Sequence, residues 1–132
     1  MKKFLLAISL LLVLSASLNA AHIIGGEMRY TYLSTSGNIR TYRITLILFR
    51  GDDPTGAPLA ASYVVGIYNN DNGQKITSTA ANSNWLISKD GGDQGVPIIF
   101  PACIQGAPSL NYTYAVYTME VSLPENQNGY TV

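Results

Sequence analysis

The feature that most constrains the fold is a regular alternation of side-chain type in two long segments. From Arg40 to Arg50, alternate positions place apolar side chains on one face of an extended chain, at Tyr42, Ile44, Leu46 and Leu48. From Tyr112 to Leu123 the same pattern recurs, with Thr113, Ala115, Tyr117, Met119, Val121 and Leu123 on one face. Because successive side chains of a β-strand point to opposite faces, both segments are predicted to be strands with one face in a core.

Shorter β patterns surround these two segments. Ile23–Leu33 is predicted to be a first strand, joined to Arg40–Arg50 in an antiparallel hairpin through a turn at Ser34–Asn38. Ser62–Tyr68 and Gln74–Thr79 are predicted to be strands on either side of Asn69–Gly73, where Asn72-Gly73 favours a tight turn with positive φ.

The remaining stretches are poorer in strand signals. Gly51–Pro58 and Lys89–Gly95 are rich in Gly and Asp and are predicted to be loops, with a short apolar patch at Trp85–Ser88 between them. Val96–Cys103 contains Pro97 and Pro101, so it is predicted to be an edge strand at best.

Several short strands separated by turn clusters are typical of an antiparallel sandwich. We therefore predict an all-β fold, an antiparallel Ig-like β-sandwich, as a single domain over residues 21–132. Gly129–Val132 begins a new β pattern that no turn or polar tail closes. From this we expect a module that is incomplete on its C-terminal side.

The N-terminal residues have the order of a secretory signal peptide. Lys2 and Lys3 precede the apolar run Phe4–Leu14, and small or polar residues follow up to the predicted cleavage after Ala20 or Ala21. The run is shorter than the ~20 apolar residues that span a bilayer. The alternative, a buried apolar helix of a cytosolic fold, does not explain the charged start or the small residues. We therefore expect residues 1–20 to be a helical leader and the mature chain to be extracellular.

Charge limits the partners of the mature chain. The whole chain has a formal net charge of zero, with eight basic and eight acidic side chains. Removal of Lys2 and Lys3 leaves six basic side chains, so the net charge falls to −2. This balance gives no electrostatic footprint for nucleic acid, so we expect no nucleic-acid partner. No second apolar run long enough to span a bilayer follows the leader, so we expect no membrane span in the mature part.

Several acidic residues and one histidine are candidate metal ligands. Asp52-Asp53 and the pair Asp90 and Asp93 offer oxygen atoms to calcium, but neither has the spacing of a calcium loop, and solvated turns are the favoured interpretation. His22 stands alone beside the predicted new N-terminus, which favours a solvated role over a metal ligand or general base. We expect no metal and no cofactor.

A hydrolase of a familiar class would carry a catalytic motif or a pair of facing carboxylates. No Gly-x-Ser-x-Gly or His-Glu-x-x-His motif is present, and the glutamates are Glu27, Glu120 and Glu125. A glycosidase pair needs two carboxylates across a cleft, whereas Glu27 and Glu120 are better explained as surface residues of paired strands. The sequence therefore predicts a protein that is not an enzyme.

Aromatic residues give a binding alternative. Trp85 and the nine tyrosines provide flat apolar faces on which a sugar can stack, although tyrosine is also the ordinary occupant of half-buried strand positions. The second interpretation is favoured. Asn111-Tyr112-Thr113 fits the N-glycosylation pattern, and we interpret this match as incidental.

Three segments together resemble one family. They are His22–Met28 followed by Tyr30–Tyr32, then Tyr42–Leu46 with Leu48–Arg50, and finally Tyr117-Thr118 through Leu123-Pro124 to Gly129-Tyr130. In this order they resemble the N-terminal domain of very large exported proteins of gliding bacteria. Such proteins often carry a gliding-motility-associated C-terminal domain, the sorting signal of the type IX secretion system, with Ig-like modules between the two ends.

The cysteines depart from the family pattern. The family usually has a cysteine soon after the second strand, where this chain has Gly51-Asp52-Asp53, and another just before the long late strand, where it has Asn111 or Tyr112. Cys103 matches the earlier cysteine of the pair in that region. The resemblance implies a cysteine-rich continuation, and with it a possible disulfide from Cys103 to a partner beyond Val132.

The functional expectation follows from export, β structure and this resemblance. We expect a non-enzymatic structural or adhesion module of a large cell-surface protein, linked to gliding motility or surface attachment. Its expected partners are other domains of the same longer chain and a surface polysaccharide or protein. The alternative is a carbohydrate-binding module of an exported polysaccharide-processing protein, and a small hydrolase fragment is the third choice.

Overall fold

The structure is a computed structural model that describes residues 23–51, 56–78, 84–97, 99–101, 103–104 and 111–132. These residues form nine strands: β1 (Ile23–Ser36), β2 (Ile39–Gly51), β3 (Ser62–Val65), β4 (Ile67–Asn69), β5 (Lys75–Ile76), β6 (Trp85–Lys89), β7 (Gln94–Gly95), β8 (Tyr112–Pro124) and β9 (Tyr130–Thr131). Every pairing among them is antiparallel. The predicted all-β antiparallel sandwich is confirmed, whereas the predicted leader, residues 1–20, lies outside the described residues.

The strands form two sheets of unequal width. The first has the order β1-β2-β8-β6-β3, with β7 also paired to β8, and the second has the order β5-β4-β9. The long strands β2 and β8 pair in unbroken register from Ile39↔Pro124 to Gly51↔Tyr112. This register places the two alternating apolar sets of the sequence on the same inner face, as predicted.

The first hairpin is tighter than predicted. β1 and β2 pair up to Ser36↔Ile39, so the turn consists of Gly37 and Asn38 and not of Ser34–Asn38. Gly37 has a φ of 59°, a conformation that glycine adopts without steric cost. Pairing continues through the polar residues because a register shift between Tyr32 and Ser34 absorbs the extra residue.

The predicted strand Ser62–Tyr68 is wrong as a single element. The chain breaks at Gly66, so that β3 belongs to the first sheet and β4 to the second. Val65 and Ile67, on either side of the break, are both buried. A Cβ atom at Gly66 would lie 2.8 Å from Cε2 of Tyr68, so glycine permits the close approach of that ring where the chain changes sheet.

The weaker strand signals gave mixed results. The turn at Asn69–Gly73 is confirmed, with the amide of Gly73 donating to the carbonyl of Asn69 at 2.7 Å, but the return strand is only Lys75–Ile76. Within the predicted loop Lys89–Gly95, Gln94 and Gly95 form β7 beside β8. The described residues of Val96–Cys103 contain no strand.

The core lies between the second sheet and the β2, β8, β6 and β3 part of the first. Its buried apolar residues are Ile44, Leu59, Val65, Ile67, Ile87, Ala115, Tyr117, Val121 and Leu123. Full burial of a large apolar side chain contributes about 1.5–3 kcal/mol. β1 contributes nothing to this set, because all 14 of its residues are exposed.

Candidate functional site

An apolar groove opens where β9 lies over the inner face of β2 and β8. We call it the tyrosine groove and define it by Tyr30, Tyr42, Ile44, Val121, Tyr130 and Val132. Its cavity volume is about 250 Å³, and an adjoining depression of about 210 Å³ extends it toward Met28 and Arg29. Small-molecule and side-chain binding sites are commonly concave and largely apolar, which makes this groove the candidate site.

The groove exists because the second sheet is too narrow to cover the first. β9 is one edge strand of the second sheet, and β1 is one edge strand of the first. Tyr30 and Tyr32 lie on the inner face of β1, in register with Ile44 and Tyr42, yet they remain 76% and 54% exposed. Among the described strands, none lies over this part of the inner face.

Three tyrosine rings are arranged edge to face along the open side. The ring centroids of Tyr30 and Tyr32 each lie 6.0 Å from that of Tyr42, with interplanar angles of 83° and 68°. Such T-shaped pairs are favourable, because the positive edge of one ring meets the negative face of the other. The contacts hold the rings in place although water reaches them.

An asparagine network fixes the opposite wall. The side-chain amide of Asn126 donates to Oδ1 of Asn69 at 2.7 Å, and that of Asn128 donates to Oδ1 of Asp71 at 2.6 Å. Asn70 donates from its side chain to the carbonyl of Asn128 at 3.0 Å. These bonds tie the segment before β9 to the turn after β4.

The wall residue Tyr130 is anchored as well. Its hydroxyl donates to the carbonyl of Pro124 at 2.7 Å, and its ring packs against the core. Its neighbour Thr131 donates from Oγ1 to Oδ1 of Asn70 at 2.8 Å. The groove is therefore preformed, with aromatic side chains on both walls.

The composition of the groove indicates what it can do. Its lining is aromatic and aliphatic, and Arg29 is the charged side chain among the described residues of the two depressions. Apolar walls with hydroxyl groups bind flat or aliphatic groups by burying them, and hydrogen bonds set their orientation. A groove with this lining can bury a flat or aliphatic group of a partner molecule.

A second cluster, at the covered side of the sandwich, has a structural explanation. Nζ of Lys89 donates to the carbonyl of Leu59 at 2.9 Å and pairs with Oδ1 of Asp93 at 2.6 Å. The hydroxyl of Tyr117 donates to the carbonyl of Ala60 at 2.9 Å. We call Lys89, Asp93, Tyr117 and Tyr63 the covered cluster, since together they hold the Leu59 segment over the core.

Burial has an electrostatic consequence in the covered cluster. Loss of hydration raises the pKa of Tyr117 above its ordinary value, and the neighbouring Tyr63 and Asp93 raise it further. The ring centroids of Tyr63 and Tyr117 lie 5.1 Å apart. A tyrosine with a raised pKa stays protonated and serves as a stable hydrogen-bond donor.

Of the acidic residues that the sequence singled out as candidate ligands, the structure describes Asp90 and Asp93. The carboxylate of Asp93 forms an ion pair with Lys89. The backbone amide of Asp90 donates to the carbonyl of Val116 at 2.7 Å. In the described ranges, no group of three or more His, Cys, Asp or Glu side chains is placed to hold a metal ion. Asp52, Asp53 and His22 lie outside those ranges.

The glutamates lie on the surface beside arginines. Glu120 pairs with Arg43 at 2.7 Å, Glu125 with Arg40, and Glu27 lies 3.9 Å from Arg29. Glu27 is in register with Ile47, whereas Glu120 is in register with Arg43, and β2 separates their strands. The structure does not bring Glu27 and Glu120 together as a carboxylate pair.

Trp85 is not part of the tyrosine groove. Its Nε1 donates to the carbonyl of Ile76 at 3.0 Å, and the half-buried ring packs against the core. A sugar platform built from Trp85 and neighbouring tyrosines is therefore not formed. The exposed rings that do assemble were missed, because alternation shows the face of a side chain but not how far the opposite sheet extends over it.

Three smaller predictions concern single residues. Cys103 is exposed and has no disulfide within the described residues, so a bond to a partner beyond Val132 stays a prediction. Asn111 is exposed just before β8, and its incidental match to a glycosylation pattern also stays a prediction. The cleavage positions Ala20 and Ala21 lie outside the described ranges.

Comparisons with known proteins give no relative from which a role can be transferred. No protein-family model, no curated protein and no solved structure matches the chain. Within the described residues, no helix has the length and apolar character needed to cross a membrane.

Proposed function

We propose that this chain is a non-enzymatic structural and adhesion module of an extracellular surface protein. The observation that carries the proposal is the tyrosine groove, an open apolar surface with preformed aromatic walls on a rigid sheet. Exposed apolar patches on folded domains commonly mark binding sites for other molecules. The proposed partners are other domains of the same longer chain and a surface polysaccharide or protein.

The sheet that carries the groove supports a mechanical role. β2 and β8 pair along their whole length, and the side chains of Thr41 and Ser122 bond across the outer face at 2.9 Å. Nearby, Arg43 and Glu120 form a cross-strand ion pair. Long antiparallel pairing with cross-strand side-chain contacts resists local opening and keeps the groove in shape.

The leader and the family resemblance support the proposed location. The order of Lys2-Lys3, the apolar run Phe4–Leu14 and the small residues up to Ala21 is that of an exported protein. The resemblance to N-terminal domains of exported proteins of gliding bacteria adds surface attachment or gliding motility as the proposed context.

Surface labelling and an attachment assay test this proposal. A membrane-impermeant biotin reagent applied to intact cells of the source organism should label the chain, and deletion of its gene should reduce attachment. Complementation with the wild-type gene should restore attachment. Labelling only after lysis, or a deletion strain that attaches normally, would argue against the proposed role.

A second function, carbohydrate binding, is favoured by the exposure of Tyr30 and Tyr32. Isothermal titration with surface polysaccharides of the source organism tests it. If the groove binds sugar, Tyr30→Ala and Tyr130→Ala should each weaken binding about tenfold or more, because they remove stacking surface. Tyr68→Ala changes an exposed tyrosine outside the groove and is the matched control. Equal losses in all three variants would count against a sugar site here.

A further inference from the structure

The outer edge of β1 is an unusually complete surface for strand pairing. Among the described strands, β1 pairs only with β2, and all 14 of its residues are exposed. An edge strand leaves a row of N–H and C=O groups without a strand partner, and proteins often protect such edges with proline, lysine or covering segments. β1 contains neither proline nor lysine, and its register is regular from Gly25 to Tyr32.

The charges of β1 select one way in which two copies can pair. In an antiparallel pair related by a twofold axis perpendicular to the sheet, residues that face each other lie on the same face of the sheet. With the axis at Met28, Glu27 of each copy faces Arg29 of the other. An axis at Glu27 or at Arg29 would place like charges opposite each other, which destabilises a pair of strands.

The opposite face of β1 fits the same register. An axis at Met28 places Tyr30 of each copy opposite Gly26 of the other. A Cβ atom at Gly26 would lie 2.8 Å from Cδ2 of Leu48 and 2.9 Å from the carbonyl oxygen of Ile47, so this position admits no larger residue without a shift. Gly26 has no side chain and Leu48 already lies over it, so the ring of Tyr30 from the second copy lies beside Leu48 and meets no side chain directly opposite it.

We propose that the chain forms a symmetric dimer by antiparallel pairing of β1 with β1 of a second copy, with Met28 on the twofold axis. The two first sheets then become one continuous sheet, and the two tyrosine grooves lie on the same face. The charge complementarity of Glu27 and Arg29 identifies a second copy as the partner. The pairing does not depend on what the groove binds.

The dimer is expected to be weak, because one strand pair is small beside the ~1,600 Å² of a standard protein interface. Sedimentation velocity over a range of concentrations of the full chain, purified after export, measures the association. A concentration-dependent monomer–dimer equilibrium is the expected result. A chain that stays monomeric up to its solubility limit, or that forms open-ended polymers, would overturn the proposal.

Charge reversal tests the register. Glu27→Arg and Arg29→Glu each put like charges opposite each other at both contacts, so each variant should dimerise about tenfold or more weakly than the wild type. An equimolar mixture of the two variants restores opposite charges at both contacts and should form heterodimers. Both positions are exposed, so neither change threatens the fold. A mixture that associates no better than the single variants would refute the pairing.

A cross-link provides an independent test. In a Cys103→Ser background, Met28→Cys places two thiols opposite each other at the axis and should form an intermolecular disulfide under mild oxidation. Tyr30→Cys, which faces position 26, is the matched control and should cross-link slowly. The exposed charge variant Lys75→Glu, on β5, should leave dimerisation unchanged. Equal cross-linking at positions 28 and 30 would contradict the register.

Discussion

Two tyrosines on the same inner face of the first sheet differ in solvent exposure, because they lie on opposite sides of that sheet. Tyr117, on β8, is fully buried, packs edge-on against Tyr63 and donates to the carbonyl of Ala60. Tyr30, on β1, is 76% exposed and contacts the ring of Tyr42. The residue type and the facing direction are the same. The difference is the cover, since the second sheet and the Leu59 segment extend over β8 but not over β1.

This difference separates two roles for one residue type. In the covered cluster, the hydroxyl of Tyr117 donates to the carbonyl of Ala60, that of Tyr63 accepts from the amide of Ala60, and both rings pack in or against the core. In the tyrosine groove, the rings remain available to a partner. Alternation in the sequence identifies the side chains that face inward. Their burial also requires that the opposite sheet or a loop lies over them.

The largest expected effect comes from truncating one tyrosine on each side. Tyr117→Ala should lower the free energy of unfolding by about 3–5 kcal/mol, because it leaves a cavity and removes the ring contact with Tyr63. Tyr30→Ala should lower it by about 0.5–1.5 kcal/mol, the contribution of its edge-to-face contact with Tyr42. Chemical denaturation followed by circular dichroism measures both. Similar losses for the two variants would remove the distinction between the sides.

Two neighbouring glycines of β1 test how closely this exposed strand packs on β2. Gly26→Ala should destabilise the fold by about 1–3 kcal/mol, because the new Cβ meets Leu48 and the backbone of Ile47. Gly25→Ala places its Cβ in open space, with no atom within 4 Å, and should be close to neutral. Thermal unfolding of both variants is the measurement. A neutral Gly26→Ala would show that β1 packs less closely on β2 than described.

Alkaline pH should act selectively on the covered cluster. The pKa of Tyr117 is raised by folding, so the unfolded chain loses this proton first as pH rises above about 10. The stability linked to Tyr117 is therefore fully present below that pH and declines above it, toward the higher pKa of the folded state.

The variant Tyr117→Phe isolates this effect. It should cost about 1 kcal/mol near neutral pH through loss of the hydrogen bond to Ala60, and its stability should decline less steeply above about pH 10. Tyr30→Phe is the control, with no hydrogen bond to a buried partner to lose. Denaturant titrations at several pH values provide the comparison. An unchanged alkaline slope in Tyr117→Phe would contradict the assigned cause.

The smallest expected effect concerns the ion pair on the outer face. Arg43 and Glu120 pair at 2.7 Å, but both side chains are about half exposed to solvent. A double-mutant cycle with Arg43→Ala and Glu120→Ala should give a coupling energy of about 0.2–1 kcal/mol that shrinks at high salt. A larger, salt-independent coupling would mean that this face is more shielded than described.

The long elements could be predicted from sequence because alternation in β2 and β8 reports directly on facing direction. The hairpin of β1 and β2 followed from the turn residues, although its turn is shorter than predicted. The break at Gly66 could not be predicted, because the alternation of Tyr63, Val65 and Ile67 continues across it. What interrupts the strand is the transfer of Ile67 to the second sheet, a tertiary effect.

The candidate site was harder to predict than the fold. Its residues come from β1, β2, β8 and β9, and no local motif joins them. Whether Tyr30 is covered depends on the width of a sheet built from three short strands far along the chain. The sequence offered Trp85 and all nine tyrosines as aromatic candidates without distinguishing among them, and the indole of Trp85 donates to the carbonyl of Ile76.

Accessibility of individual tyrosines tests the central claim most directly. Hydroxyl-radical footprinting with mass spectrometry, at a protein concentration low enough to keep the chain monomeric, measures each ring separately. Tyr30 and Tyr32 should be oxidised rapidly, while Tyr117 should be protected until the chain unfolds. Protection of Tyr30 in the folded monomer, or rapid oxidation of Tyr117, would contradict the open and covered sides described for this sandwich.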